Sequence, residues 1–379
     1  MKELKNIVVI GPVYPFKGGI AHYTGLLVKE LSKKYNVKTV SYKMQYPKIL
    51  FRKEQRDYEN KTFEIKDAQF LINTANPFNI ISSAKKINEM KPDLVIISWW
   101  HPYFAPCYSI LASHLKNCKI AYICHNVLPH ERFIFDKGLS KNTLKKADFC
   151  IVHSEEDKQN LSEILPKMLC KKNMHPTYNA FKIRGISRDE ARTELGIKPD
   201  EKIILFFGLV RKYKGLIHII NAMPDIIGQN PNVKLYIVGD FGKDKADYIN
   251  RINELNISSN IVIRDGYIPD NEVEPYFAAA DINVCPYESA TQSGILQIAF
   301  GFGMPAIVTR VGGLPEVVTD GETGYVVPPL DYKELANAVN KSLKDEELIR
   351  LRDNVVKDSY RFSWERMTET IEELWTESH

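Results

Sequence analysis

The sequence predicts an α/β protein of two parallel-sheet domains, and three observations lead there. Short apolar, β-rich runs alternate with helical segments, as in Lys5-Asn-Ile-Val-Val-Ile-Gly11, Asp93-Leu-Val-Ile-Ile-Ser-Trp-Trp100 and Lys119-Ile-Ala-Tyr-Ile-Cys124. A second such series opens at Lys202-Ile-Ile-Leu-Phe-Phe-Gly208 and continues through Lys234–Gly239, Ile261–Ile263 and Ile282–Val284. A length of 379 residues also exceeds what one core of typical size organises.

Along the first series, the strand Lys5–Gly11 runs into Gly18-Gly19, a glycine pair that lets backbone approach a ligand, and then into a helix marked by Leu26, Leu27 and Leu31. The Gly-x-Gly-x-x-Gly fingerprint is absent here, which argues against a dinucleotide cofactor. After the strand Val37–Tyr42, the stretch Lys43–Lys53 mixes Lys and Arg with Ile49, Leu50 and Phe51. It reads either as a buried loop or as a surface for lipid headgroups. Pro77–Met90 reads as a helix. The strands ending at Trp99 and Cys124 lead into His101 and His125, at the carboxy-terminal strand edge where open α/β sheets bind ligands.

Turn chemistry at His175–Ala180 and a short helix over Ser187–Gly196 place a domain boundary near residues 180–200, giving domains 1–182 and 183–361. A last helix, about 362–379, shows one apolar face through Trp364, Met367, Ile371, Leu374 and Trp375. Within the second series, Cys285–Pro305 reads as strand, polar loop and buried helix. Gln292, Ser293 and Gly294 there stand at a helix start, where unpaired N–H groups and the helix dipole suit phosphate.

Composition narrows the partners. Residues 1–180 hold 28 Lys and Arg against 16 Asp and Glu, a net of +12, which leaves −8 for the remainder. The first half therefore suits an anionic partner: nucleic acid, an acidic membrane surface or a phosphorylated substrate. The basic residues form no single periodic face and accompany no recognition motif, so nucleic acid is the weakest of the three. Six cysteines never form Cys-x-x-Cys, so neither a zinc site nor a disulfide framework is expected. No apolar run reaches the roughly 20 residues of a membrane span, and Met1–Ile10 lacks a signal peptide's apolar region. The expected location is cytoplasmic, with peripheral contact to the inner face of the membrane.

Several weak motifs occur in one order: Gly208 with Arg211 and Lys214-Gly215, Val238-Gly239-Asp240, Ala280-Asp281, Gly303-Met-Pro305, Gly312–Glu316 and Gly321–Gly324. With Gly18-Gly19, His101 and Phe362-Ser-Trp364 they resemble, over nearly the whole chain, the family 4 retaining glycosyltransferases of the GT-B type. The resemblance implies two Rossmann-like domains facing across a cleft, the last helix crossing back to the first domain. It implies transfer of a sugar from a UDP- or GDP-linked donor to a glycan or lipid-linked acceptor in surface polysaccharide or glycoconjugate assembly. No cofactor and no metal are expected, and no Asp-x-Asp occurs. Catalytic roles fall on His101, Arg211, Lys214 and Glu288. Donor binding falls on Gly208, Arg211, Lys214, Tyr267, Ile268, Gln292, Ser293, Gly294 and Ile295, and acceptor or cleft contacts on Gly18, Gly19 and His125.

The chain departs from the pattern in two places. The family's arginine falls on Leu209, with Arg211 as the substitute, and its Glu-x7-Glu pair falls on Ala290 and Ile298, leaving the sugar contact to Glu288 or Gln292. These departures keep open a catalytically weak or scaffold member of the fold, and an epimerase-like GT-B enzyme is a further alternative.

Overall fold

The computed structural model describes residues 3–47, 49, 54–58, 64–129, 133–178, 181–290 and 292–379. The chain divides into two compact units, Met1–His175 with Ser363–His379, and Pro176–Phe362.

The first unit runs β1 (Asn6–Ile10), α1 (Gly19–Leu31), β2 (Asn36–Met44), β3 (Gln69–Asn73), α2 (Pro77–Glu89), β4 (Leu94–Trp99), α3 (Ala105–His114), β5 (Lys119–Cys124), α4 (Asp136–Leu144), β6 (Phe149–Val152), α5 (Glu155–Ile164) and β7 (Cys170–Lys172). Its seven strands lie in the order β3-β2-β1-β4-β5-β6-β7, and every pair is parallel. A parallel sheet covered on both faces needs apolar side chains on both, so β4 is buried at all six positions. The edge strands β3 and β7 are only partly buried.

The second unit runs α6 (Arg188–Glu194), β8 (Lys202–Phe207), α7 (Leu216–Gln229), β9 (Val233–Gly239), α8 (Lys245–Glu254), β10 (Ile261–Asp265), α9 (Glu274–Ala279), β11 (Ile282–Cys285), α10 (Gly294–Gly301), β12 (Ala306–Thr309), α11 (Leu314–Val317), β13 (Gly324–Val327), α12 (Tyr332–Ser342) and α13 (Asp345–Lys357). Six parallel strands take the order β10-β9-β8-β11-β12-β13. Buried ions tie its opening segment down. The Arg184 and Ile186 N–H groups donate to the Glu274 carboxylate at 2.6 and 3.1 Å. Arg188 donates to Asp281 at 2.7 Å, and Asp281 also accepts the Ile203 N–H at 2.7 Å. The Ala280-Asp281 motif is thus the clamp that joins α6 to the start of β8.

After the second unit the chain returns, and α14 (Trp364–Glu377) packs on α1 and β7 of the first. Its apolar face buries Met367, Ile371, Leu374 and Trp375. Its acidic flank meets lysines: Lys34 to Glu372 at 2.6 Å, Lys171 to Glu373 at 2.7 Å and to Glu377 at 2.5 Å. Such pairs are largely exposed and contribute little each, so the buried face carries the docking. At the head of α14, Trp364 joins a buried ring cluster whose centre is Tyr23 of α1. Centroids of His125, His153, His175 and Trp364 lie 4.6, 5.4, 5.0 and 5.0 Å from it. Burial, followed by the neighbouring imidazoles, drives the His125 pKa far down, and burial holds His153 down at about 3.

Candidate functional site

In the second unit the expected site residues gather where β8, β9 and β11 end. β8 stops at Gly208, which has φ +101°, and an added Cβ there would stand 3.2 Å from the Ile295 side chain and 3.5 Å from Lys214 Nζ. Two nearby positions and a third more than eighty residues further on therefore converge on one point above the strand end. Two other glycines make the approach possible. A Cβ at Gly215 would lie 1.9 Å from the Pro286 carbonyl oxygen, and one at Gly239 would lie 2.0 Å from that of Gly208. Both residues also hold positive φ, so no other side chain fits either turn.

Lys214 closes a short 3-10 turn over Lys212–Lys214. Its ammonium lies 5.6 Å from the centre of the Tyr287 ring and makes no hydrogen bond or ion pair among the described residues. Burial, with the Arg211 charge adding to it, lowers its pKa. A cation desolvated without a carboxylate is costly, and an anion bound there offsets that cost. Helix α10 starts beside it. The Ser293 side chain caps the helix, accepting the Leu296 N–H at 3.5 Å, and the Tyr287 hydroxyl lies 3.3 Å from the Ser293 Oγ. Tyr287 thus links the lysine to the helix start, whose N–H groups at Gly294 and Ile295 are free of intrahelical partners by geometry.

The remaining expected residues are dispersed around this point. Arg211 donates to the Val210 carbonyl at 2.8 Å and stands 4.0 Å from the Asp240 carboxylate, so its guanidinium lies over the turn that follows β9. Glu288 accepts from His218 Nε2 at 2.9 Å, while its own N–H donates to the Tyr213 carbonyl at 2.7 Å. It is a held carboxylate. Tyr267 is exposed, Ile268 is buried and Gln292 is half-buried. Of the two positions where the family pattern has glutamate, Ile298 is buried in α10. Beside it the Gln297 amide is sealed, with neither its nitrogen nor its oxygen partnered among the described residues. Thr291 lies outside the described residues, as do Leu50 and Phe51.

In the first unit, His101 caps the 3-10 turn Pro102–Phe104, its Nδ1 accepting the Tyr103 N–H at 3.0 Å. That bond assigns the proton of the neutral ring to Nε2, and partial burial lowers the pKa, so at neutral pH the ring offers an N–H donor. Phe133 is stacked near it, 6.4 Å between centroids and 24° between planes. Gly18 and Gly19 are exposed at the start of α1, and nothing stands within 4 Å of a Cβ at Gly18. His125 lies instead inside the Tyr23 cluster, away from solvent. Sequence reading passed over Tyr287 and His218. Their only signals were an aromatic ring next to Glu288 and a histidine three residues after Gly215.

Residues 187–362, nearly all of the second unit, match the family described as Glycosyl transferases group 1. Among curated proteins the chain is similar to Spore coat protein SA of Bacillus subtilis, 29% identical over 213 residues that make up 53% of this chain and 54% of that one. It is also similar to the D-inositol 3-phosphate glycosyltransferase of Corynebacterium efficiens, 30% identical over 50% of this chain and 46% of that one. The chain spans about half the length of the curated relatives it matches. Among solved structures, sucrose-phosphate synthase from Thermosynechococcus elongatus superposes with a TM-score of 0.74 at 20% identity, covering 98% of both chains. Anabaena Alr3699/HepE in complex with UDP gives 0.73 at 18% identity, covering 99% of this chain and 100% of that one. At these identities the likeness shows the fold, GT-B.

Proposed function

We propose that this chain, whose residues 187–362 belong to glycosyl transferases group 1, moves a sugar from a nucleotide-sugar donor to an acceptor hydroxyl with retention of configuration. The observation that carries the reading is the convergence of Gly208, the Lys214 ammonium, unpaired among the described residues, and the start of α10. A donor diphosphate fits there: the lysine and the helix N–H groups take its charge, and glycine lets the backbone come close. Arg211, 4.0 Å from Asp240, turns to the same diphosphate when the donor enters. As the glycosidic bond breaks, negative charge grows on the leaving phosphate, and these cations stabilise it in the role a metal ion plays in other transferases. Glu288, positioned by His218, accepts from a hydroxyl of the transferred sugar, and in the first unit the neutral His101 ring offers its Nε2–H to a sugar hydroxyl. Tyr267 and Ile268 meet the nucleobase. UDP is the favoured nucleotide, since the similar Alr3699/HepE is recorded with UDP. The acceptor is a glycan or a lipid-linked glycan, which suits the basic first half of the chain and a role in surface polysaccharide assembly at the inner face of the membrane.

A thermal-shift screen across nucleoside diphosphates tests this without an acceptor. A ligand at 100 times its Kd adds about 2.7 kcal/mol of stability. UDP or GDP should raise the midpoint of the wild type and leave that of Lys214→Met nearly unmoved; no shift with any nucleotide favours a scaffold role. Wild-type kcat/KM in both Glu288→Ala and Gln292→Ala would remove the sugar contact assigned to this loop.

A further inference from the structure

The exposed apolar side chains of the first unit are not scattered. Among its described residues, six large hydrophobic side chains are exposed: Ile49, Tyr58, Phe78, Phe133, Ile134 and Phe135. All six stand on segments at the carboxy-terminal edge of the seven-stranded sheet. Phe78 opens α2 just after β3. Ile49 follows β2, three residues after Tyr46, whose hydroxyl accepts from Trp100 just past the end of β4. Tyr58 is brought to the end of β1, where the Tyr14 hydroxyl donates to its carbonyl at 2.8 Å and the Asp57 N–H donates to Pro15. Residues 133–135 lie between β5 and α4. The strands concerned, β3-β2-β1-β4-β5, are consecutive neighbours, so the row spans about 19 Å at the usual strand spacing. Ile134 is 92% exposed, Ile49 85% and Phe78 84%.

We propose that this edge of the first unit rests on a lipid bilayer, with these side chains entering the headgroup and upper acyl region. Residues exposed to this degree gain most by leaving water, and projecting tips on separate loops suit a soft surface better than the flat, complementary face a second copy needs. The polar company fits: Tyr58, hydrogen-bonded to Arg56 at 3.1 Å, is an amphipathic ring of the kind that occupies membrane interfaces. The first unit, with 29 Lys and Arg against 21 Asp and Glu, carries +8 and complements anionic headgroups. No described helix is long and apolar enough to cross a membrane, so the contact is interfacial. The proposal deepens the acceptor half of the reading above, and rests on it only for what the membrane presents: a sugar acceptor carried on a lipid.

Vesicle flotation tests it, with vesicles of phosphatidylcholine alone and of phosphatidylcholine mixed with phosphatidylglycerol, at low and high salt. The wild type should float with the mixed vesicles and keep part of its binding at high salt. Ile134→Ser and Phe78→Ser should each lower the partition coefficient about tenfold or more, while their UDP-induced thermal shift stays that of the wild type. A wild type that stays at the bottom with both vesicles, or variants that float with it, overturns the proposal. So does light scattering that finds a wild-type dimer and monomeric variants, because a second copy then covers the edge. Flotation without any nucleotide shift leaves this proposal standing and removes the donor reading alone.

Discussion

The two units share an architecture and differ at the same place, the carboxy-terminal edge of the sheet. In the second unit that edge is built from glycines at close approach, a capped helix start and a lysine with no counter-ion among the described residues. In the first it is built from rings, with His101 and Phe133 stacked and large apolar tips beyond them. A parallel sheet offers both units the same backbone edge. What differs is how close a ligand can come: glycine admits a charged group to the backbone itself, whereas aromatic side chains meet the flat or greasy part of a molecule. The units differ inside as well, since three of the histidines at strand ends of the first are sealed around Tyr23.

That interior contrast gives the largest expected effect. His153, held at about 3 when folded, takes a proton near 6.5 once unfolded. Its folded pKa is depressed, so below 6.5 the unfolded chain binds the extra proton and stability falls as pH drops towards 3, by about 5 kcal/mol for this residue alone. His125 adds to the same slope in the same direction. All four tryptophans belong to the first unit, so tryptophan fluorescence during urea unfolding reads that unit by itself. Its transition should move to lower urea between pH 7.5 and 5.0, and a flat profile would place the histidines in contact with water.

Gly215→Ala should cost the second unit about 3 kcal/mol or more, because the new Cβ meets the Pro286 carbonyl oxygen and φ is +64°. The melt followed by circular dichroism should split, leaving the tryptophan transition in place. A common shift of both signals would mean that the units unfold as one. Next, Lys214→Met should weaken UDP binding by roughly 30- to 100-fold in calorimetry, the worth of a hydrogen bond to a charged group. A change below about threefold would detach the unpaired ammonium from the nucleotide. The smallest effect is expected at Gln297→Leu. A buried amide with no partner among the described residues loses nothing when it becomes apolar, so the change should lie within about 1 kcal/mol, neutral or stabilising. A loss of 2 kcal/mol would show that the amide has a partner in solution.

How much of this could be read from the chain depended on whether the signal was local. β1, β4, β5, β8 and β9 are apolar runs and were legible as strands, and the apolar stripe of α14 was legible as a helix face. β3 and β7 were not, because an edge strand is half-exposed and Gln69–Asn73 or Cys170–Lys172 carries no unbroken apolar run. At the candidate site, Gly208, Lys214 and Ile295 were singled out through the order of motifs that carries the resemblance, and the fold brings these three positions together. The Tyr287 ring beside Lys214 and the His218–Glu288 bond were not, since both are made by segments about seventy residues apart. The glycine pair Gly18-Gly19 and His125 read alike as edge residues, yet one is open and the other is walled in by rings that only the fold brings together.

The return of α14 has a consequence for the order in which the protein comes off the ribosome. The first unit is begun by Met1–His175 and closed by Ser363–His379, so the Tyr23 cluster waits for Trp364 while all of Pro176–Phe362 is being made. The segment Pro176–Phe362, continuous in sequence, can reach its fold first, reversing the usual precedence of the leading domain in synthesis. Until α14 arrives, α1 and β7 expose the apolar surface it will cover, which leaves the nascent first unit open to association.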